Sequence, residues 1–191
     1  MKYTETAPNW CPQPLKYFKL SPEAFAPEWG TEHAACFDLR ACLIHGTQVT
    51  VYHQDNTKHH NVVDTYPVDT EPDNYLKEYL YIFPGQRVMV PTNLIFDIPI
   101  GYSVRLHNRS GCALKQGLVL ANMEGIIDSD YFHPTYMVLK NTSTCVVPVF
   151  HGDRVAQGEM VLDMAYIVEE TPDQPKQRTD RVGGFGSTGV Q

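Results

Sequence analysis

The chain has 191 residues, of which 42% are hydrophobic and 19% charged, and its formal net charge is −7. This length and composition favour one globular domain with a substantial core. The acidic balance argues against a nucleic-acid polymer as partner, because such binding depends on basic patches. No apolar run is long enough to cross a membrane and no secretory signal is visible, so a cytoplasmic location without membrane contact is expected.

Strand-like runs dominate the chain and are separated by Pro, Gly, Asn and Asp at short intervals, which is typical of an all-β sandwich or barrel. In chain order the predicted strands are 50–52, 79–83, 87–91, 102–106, 135–139, 145–149 and 159–168. Residues 111–116 are a candidate for a short helix or turn. Residues 46–78 are polar with few large aliphatic side chains, so we predict a surface insertion, of which a β-hairpin arm is one form, that adds little to the core.

Cysteine and histidine positions do not suggest a metal site. The five cysteines, at positions 11, 36, 42, 112 and 145, are scattered and include no Cys-x-x-Cys pair. Neither a disulfide framework nor a zinc site is predicted from them, and reduced thiols are expected. The histidines also lack metal-ligand spacing, so they are interpreted mainly as solvated residues.

Two blocks in the middle of the chain carry candidate site residues. Arg109-Ser110-Gly111 follows a predicted strand, where a guanidinium and free amides would suit a phosphate, although an exposed turn is the alternative. In the block 122–131, Asp128 and Asp130 would share one face if that block is extended. One of these carboxylates could act as a general base, and an asparagine amide can pair with a pyrimidine edge. A hairpin turn is the alternative for this second block.

The last two blocks lie nearer the C-terminus. In the turn 152–157, Asp153 and Arg154 are predicted to form a structural ion pair, which leaves Gln157 as a candidate ligand. Residues 181–189 contain four glycines, Arg181 and Phe185. Successive amides can bind anions, a guanidinium suits phosphate, and a phenyl ring can stack on a base. This block therefore predicts a lid that closes over a nucleotide, with a frayed glycine-rich tail as the alternative.

Together with the block 34–41, these blocks occur in one order that resembles the five motifs of the trimeric all-β dUTP pyrophosphatases (dUTPases). The resemblance implies a distorted jelly-roll β-barrel that forms a homotrimer, with each active site drawing on all three chains. It also implies a β domain over residues 1–170 and a substrate-closing arm over 171–191. The implied reaction is hydrolysis of dUTP to dUMP and pyrophosphate.

The resemblance assigns roles to individual residues. Asp128 matches the general base that activates a water for attack on the α-phosphorus. Asp38 matches the residue that acts through water on a Mg²⁺ ion, which bridges the triphosphate. Implied triphosphate contacts are Arg109, Ser110, Gly111 and Gln157. Implied nucleoside contacts are Asn122, Ile126 and Ile127 on uracil, Tyr131 on the deoxyribose, and Tyr136. In the arm, Phe185 would stack on uracil, while Arg181, Gly186, Ser187 and Thr188 would close on the phosphates.

Two other functions stay open from the sequence. A dCTP deaminase would share the fold and the trimer, although such enzymes lack the glycine-rich C-terminal block. A regulatory protein could use the same fold to bind a protein partner through residues 46–78, with nucleotide as its switch.

Overall fold

The structure is a computed structural model that describes residues 13–67 and 76–180, and β-strands dominate both stretches. The predicted all-β class is confirmed. The strands are β1 (Lys16–Lys19), β2 (Glu28–Trp29), β3 (Phe37–Arg40), β4 (Gln48–Tyr52), β5 (Lys58–Val62), β6 (Asp64–Pro67), β7 (Leu76–Ile82), β8 (Arg87–Pro91), β9 (Leu94–Asp97), β10 (Tyr102–Asn108), β11 (Leu118–Leu120), β12 (Gly125–Ile127), β13 (Tyr136–Asn141), β14 (Val147–Phe150) and β15 (Arg154–Leu162). One short helix, α1, spans Ser110–Gln116. Within these two stretches, no helix has the length and apolar character that a membrane crossing requires.

Two five-stranded sheets form the body of the fold. One has the strand order β12-β10-β15-β3-β2 and the other β11-β13-β8-β4-β5, while β14-β7-β6 and β1-β9 form smaller sheets. A single core takes buried side chains from both large sheets, including Leu39 and Leu106 from the first and Val88 and Leu139 from the second. The two sheets are therefore held by one continuous hydrophobic interior.

Alternation along the strands explains how this core is filled. Side chains of a strand point to opposite faces in turn, so every second residue of β8 can be buried. Val88 and Val90 of β8 are fully buried and lie opposite Leu139 and Met137 of β13. The predicted strand 87–91 is confirmed with the same bounds.

The predicted helix is also confirmed, and a glycine ends it. Gly117 has φ +66° and its N–H donates to the Cys112 carbonyl, which closes the last turn of α1. A Cβ atom at this position would lie 3.0 Å from Ser143 Cβ. Both the backbone conformation and the close neighbour therefore require glycine here. At its other end, α1 starts just after β10, with Ser110 and Gly111 exposed.

Residues 46–78 contribute to the core, contrary to expectation. Strands β4 and β5 form an antiparallel hairpin, as the hairpin hypothesis expected. Strand β4 also pairs with β8 of the core sheet, and Val49, Val51 and Val63 are at most 4% exposed. The expectation that this segment adds little to the core is wrong. Its few aliphatic residues alternate with polar ones, so a low aliphatic content still supplies one fully buried face.

The last strand differs from its prediction at both ends. Strand β15 begins at Arg154 and ends at Leu162, so the predicted extension to residue 168 is wrong. Met164, Tyr166, Ile167 and Val168 belong to no strand and are all more than 80% exposed. Their sequence is apolar enough for a strand, but a strand also needs a partner for its backbone. Residues 164–168 thus form an uncovered apolar segment of the chain.

Substitution of Val51 by Ala tests the role of β4 in the core. Because the side chain is fully buried, losing two methyl groups should lower the free energy of unfolding by about 2–3 kcal/mol. The matched control is Val62→Ala on β5, where the side chain is 56% exposed. Urea unfolding measures both, and equal midpoints for the two variants would contradict the core assignment of β4.

Candidate active site

A cleft of about 230 Å³ lies where β12 and the connection to β13 meet the core sheet. Five predicted nucleoside contacts line it: Asn122, Ile126, Ile127, Tyr131 and Tyr136. The remaining walls come from Met89, Leu106, Leu120, Gly125, Thr135 and Val138. The structure thus brings together residues that the sequence spreads over fifteen positions. Their individual roles remain predictions.

A tight turn and a glycine shape the floor of this cleft. Met123 has φ +65°, and the Glu124 N–H donates to the Asn122 carbonyl at 2.7 Å. Gly125 lies opposite Leu106 of β10, and a Cβ atom on Gly125 would come within 3.0 Å of the Leu106 side chain. The glycine therefore lets β12 lie close against β10, with Asn122 at the rim.

Asp128 follows the last residue of β12 and is exposed. The Tyr131 N–H donates to the Asp128 carbonyl at 3.1 Å, so residues 128–131 form a turn. The extended backbone on which a shared face for Asp128 and Asp130 depended is therefore absent, and a turn, which was the alternative, is present. The Tyr131 hydroxyl donates to the Pro134 carbonyl at 3.3 Å, which orients its ring at the cleft.

Thr135 is a cleft residue that the sequence argument missed. It is only 2% exposed, and its Oγ1 is buried without a hydrogen-bond partner. Its backbone is fully engaged, because its N–H donates to the Leu94 carbonyl and its carbonyl accepts from Thr92. Buried hydroxyl groups are usually paired, so an unpaired one beside a cleft marks a position where a ligand atom could bind. No sequence signal distinguishes this threonine from an ordinary strand residue.

A second group of predicted residues meets at the other end of β10. Arg109 Nε donates to Asp38 Oδ1 at 2.8 Å, and Arg154 Nη1 donates to Asp38 Oδ2 at 3.1 Å. Arg109 Nη1 also donates to the Arg154 carbonyl at 2.9 Å. One largely buried carboxylate therefore holds two guanidinium groups in fixed positions, one directly after β10 and one at the start of β15.

The predicted ion pair between Asp153 and Arg154 is wrong. Arg154 pairs with Asp38, and the Asp153 carboxylate instead accepts the Phe150 N–H at 2.9 Å within its turn. The physical reason is the path of the chain. Asp153 closes the turn before β15, whereas Arg154 is the first residue of a strand that runs beside β3.

Gln157 and Cys112 support the backbone around this second group. The Gln157 side-chain amide donates to the Asn108 carbonyl at 3.0 Å, directly before Arg109. The Cys112 thiol donates to the Arg154 carbonyl at 3.4 Å, and burial raises its pKa. The thiol therefore stays protonated and acts as a hydrogen-bond donor. Ser110 and Gly111 lie in the first turn of α1, where amide groups have no intrahelical partner.

Strand β10 separates the two groups within one chain. Asp128 follows Ile127, which lies opposite Val104 near the start of β10, while Arg109 comes directly after its end. Ser103 comes just before Val104, and the six residue steps from Ser103 to Arg109 span roughly 20 Å of extended chain. A single chain therefore does not place the predicted base beside the predicted phosphate contacts.

The predicted arm residues Arg181, Phe185, Gly186, Ser187 and Thr188 lie outside the residues that the structure describes, so their roles stay predictions. Among the described residues, the structure also assembles a possible metal-ligand group that linear spacing did not reveal, formed by Cys36, His107 and Glu159.

Comparison with known proteins points to one family. The dUTPase family model matches residues 65–189. A deoxyuridine 5'-triphosphate nucleotidohydrolase of Nautilia profundicola is 34% identical over 179 residues, which cover 92% of this chain and 98% of that protein. The fold resembles the dUTPase of Staphylococcus bacteriophage 80alpha with dUpNHpp, at a TM-score of 0.67 and 18% identity over 94% of this chain and 100% of that one. It also resembles a dUTPase of S. aureus phage phi11, described with a structural Mg(II) ion, at a TM-score of 0.62 and 17% identity over 86% and 100%.

Substitution of Asp38 by Asn tests the carboxylate bridge. Hydrogen bonds to charged groups typically contribute about 1.5–3 kcal/mol. Because the guanidinium partners are partly solvated, we expect the free energy of unfolding to fall by about 1–2 kcal/mol. The exposed Asp97 of β9 provides the control Asp97→Asn. Thermal unfolding at neutral pH measures both variants, and a loss of stability no greater than that of the control would refute the bridge.

Proposed function

This chain belongs to the dUTPase family and hydrolyses dUTP to dUMP and pyrophosphate, and we propose that Asp128 is its general base. The observation that carries this assignment is the position of Asp128, directly after the strand that lines the cleft with Asn122 and Tyr131. The carboxylate accepts a proton from a water molecule while the water oxygen attacks the α-phosphorus. The bond between the α-phosphorus and its bridging oxygen breaks, and pyrophosphate leaves.

The cleft is proposed to select the nucleoside. The Asn122 amide offers both a donor and an acceptor, which suits the uracil edge together with backbone groups of Ile126 and Ile127. A site built on specific hydrogen bonds rejects a base that leaves buried polar groups unpaired. The Tyr131 ring packs on the deoxyribose, where it offers no partner to a ribose 2'-hydroxyl. Tyr136, at the mouth of the same cleft, is a further contact.

The group around Asp38 is proposed to bind the triphosphate. Arg109 supplies a guanidinium, and the exposed first turn of α1 supplies the amides of Ser110 and Gly111. A Cβ atom on Gly111 would meet no atom within 4 Å, so the backbone is open to a ligand there. The Gln157 side chain supports the phosphate end of the site by donating a hydrogen bond to the Asn108 carbonyl.

Enzymes of this family generally depend on Mg²⁺, and the phage phi11 relative is described with such an ion. The residues present fit an ion bound mainly by phosphate oxygens. Each Asp38 oxygen accepts one hydrogen bond from a guanidinium, and a carboxylate has about four acceptor positions in all. Asp38 can therefore still hold a metal-bound water, as the resemblance implies. When bound, the ion neutralises the negative charge of the triphosphate.

We propose that three copies of the chain assemble the complete site. Two observations support association of copies, and the resemblance to the trimeric dUTPases supplies the number three. Asp128 and Arg109 lie at opposite ends of β10, so a neighbouring copy must supply one of the two groups to each site. The exposed apolar residues 164–168 provide surface that a neighbouring copy would cover. In the same proposal, Phe185 of the arm stacks on uracil, while Arg181, Gly186, Ser187 and Thr188 bind phosphates.

The family assignment bears on only one of the two alternative functions. The family assignment favours pyrophosphate release over deamination of dCTP. A protein partner at residues 46–78 remains a proposal, and the exposed strand β5 supports it. Strand β5 is the outermost described strand of its sheet, so its edge has backbone groups with which another chain could pair.

Subunit complementation tests the base and the shared site together. Asp128→Asn should lower kcat by about 10²–10⁴ because the proton acceptor is lost. Arg109→Ala should also be nearly inactive. Mixed trimers of the two variants should regain pyrophosphate release from dUTP with Mg²⁺. In an equal mixture about a quarter of the sites would receive an intact Asp128 from one chain and an intact Arg109 from another.

The control mixes Asp128→Asn with the double variant Asp128→Asn/Arg109→Ala, which cannot rebuild a site. Differently tagged chains verify that mixed trimers have formed. Mixed trimers with no more activity than this control would show that both residues act from the same chain.

Substitution of Thr135 by Val tests the unpaired hydroxyl. If Oγ1 hydrogen-bonds the nucleotide, Thr135→Val should raise KM for dUTP about two- to tenfold without loss of stability. The control is Thr92→Val. The Thr92 hydroxyl donates to the Thr135 carbonyl and accepts the Leu94 N–H, so its loss should lower stability and leave KM unchanged. An unchanged KM in Thr135→Val would remove Thr135 from the binding site.

A further inference from the structure

We propose that Cys36, His107 and Glu159 form a binding site for a zinc-type divalent cation, separate from the nucleotide site. A thiol sulfur, a ring nitrogen and a carboxylate oxygen of these residues all lie within 4.8 Å of one another. All three side chains are partly buried. None of them belongs to the groups proposed to bind or cleave dUTP.

The sheet places these side chains on one face. Strand β15 lies between β3 and β10, with Gly158 opposite Phe37 and Gln157 opposite His107. Glu159 follows Gly158 and Cys36 precedes Phe37, so Glu159 and Cys36 lie beside each other. Glu159 is also diagonal to His107 across β15 and β10. Leu106 points into the core, so its neighbour His107 points to the opposite face. Cys36 directly precedes β3, and its thiol lies within 4.8 Å of the other two ligand atoms. Diagonal side chains across a sheet remain within reach of each other.

The donor set suits zinc better than magnesium or calcium. Thiolate and imidazole are preferred by Zn²⁺, whereas Mg²⁺ and Ca²⁺ prefer oxygen ligands. Zinc binds sulfur at about 2.3 Å and nitrogen or oxygen at about 2.0–2.2 Å, usually with four ligands in a tetrahedron. His107 Nε2 already lies 3.0 Å from Glu159 Oε1, which is close to the spacing of two ligands on one ion. Three protein ligands would leave the fourth position for water.

A second layer of residues supports the imidazole. Glu124 Oε1 lies 3.7 Å from His107 Nδ1, so a carboxylate faces the ring nitrogen opposite the one proposed to bind the ion. A carboxylate at this nitrogen helps to orient the ring of a metal-binding histidine. Arg105 holds Glu124 at 3.8 Å and Asp163 at 3.3 Å. This face therefore contains three carboxylates and one guanidinium, and the excess of negative charge favours a dication.

The proposed ion would connect the start of β3 with β10 and β15. Asp38 lies in β3, Gln157 in β15, and Arg109 directly after β10. A ligand that binds the folded state raises the melting temperature as its concentration rises. Zinc should therefore raise the melting temperature of the wild-type protein, even with no nucleotide present.

Cobalt substitution tests the site directly. The metal-free full-length protein is titrated with Co²⁺, which reports a thiolate ligand through a near-ultraviolet charge-transfer band and a tetrahedral site through intense visible bands. We expect one Co²⁺ per chain, displaced by Zn²⁺ but not by excess Mg²⁺. Cys36→Ser should abolish the charge-transfer band, and His107→Gln and Glu159→Gln should weaken binding. Glu124→Gln should weaken binding by about tenfold or more through the loss of its contact with His107.

Cys145→Ser is the matched control, because Cys145 is an exposed thiol away from this face. It should leave both bands unchanged. Hydrolysis of dUTP with Mg²⁺ should persist in Cys36→Ser, so loss of the cobalt signal is separable from failure of the enzyme. If Cys36→Ser does not fold, a second measurement replaces this variant. Bound Zn²⁺ should protect Cys36 of the wild-type protein from an alkylating reagent, as measured by mass spectrometry of the peptide that contains Cys36. A wild-type protein with no thiolate band and no protection of Cys36, or a band that Cys36→Ser retains, would overturn the proposal.

Discussion

Strand β10 is paired on both sides, and the arrangement of the candidate site depends on that double pairing. Strand β12 lies on one side and β15 on the other, so the position of each β10 side chain is fixed by two registers. Leu106 faces the core and the cleft, while His107 faces the other surface. The strand then leads directly into Arg109 and α1. One rigid strand therefore fixes the positions of a cleft wall, of the Arg109 guanidinium just beyond its end, and of the polar surface that includes His107.

The same rigidity separates the two halves of the chemistry. An extended strand cannot fold back to bring its ends together, so no local motion moves Asp128 of one chain to Arg109 of that chain. In the proposed assembly, association of copies is a condition for catalysis. On that proposal, changes in the exposed residues 164–168 would abolish activity without touching any residue that contacts dUTP. The site is thus sensitive to surfaces that look unrelated to it in a single chain.

What the sequence could predict follows from the range of the interactions involved. Strand 87–91 and the helix depend on local alternation and on Gly117, and both were predictable. The partner of Arg154 was not, because its neighbour Asp153 is adjacent in sequence whereas Asp38 is brought to it by pairing of β3 with β15. Residues 46–78 were misjudged because a count of aliphatic residues ignores which face they occupy. The grouping of Cys36, His107 and Glu159 likewise depends on register between distant strands.

The group around Asp38 carries too little positive charge to neutralise a bound triphosphate by itself. Arg109 and Arg154 share the single carboxylate of Asp38, so the group carries an excess of one positive charge. A triphosphate carries several negative charges, and the chain as a whole carries −7. Asp38 fixes the two guanidinium groups in place but also reduces their attraction for the substrate. In the proposed function the remaining positive charge comes with the substrate as a divalent cation, or from Arg181. On that proposal, tight binding of dUTP depends on charges beyond those of the group around Asp38, so this group alone does not act as a general trap for phosphates.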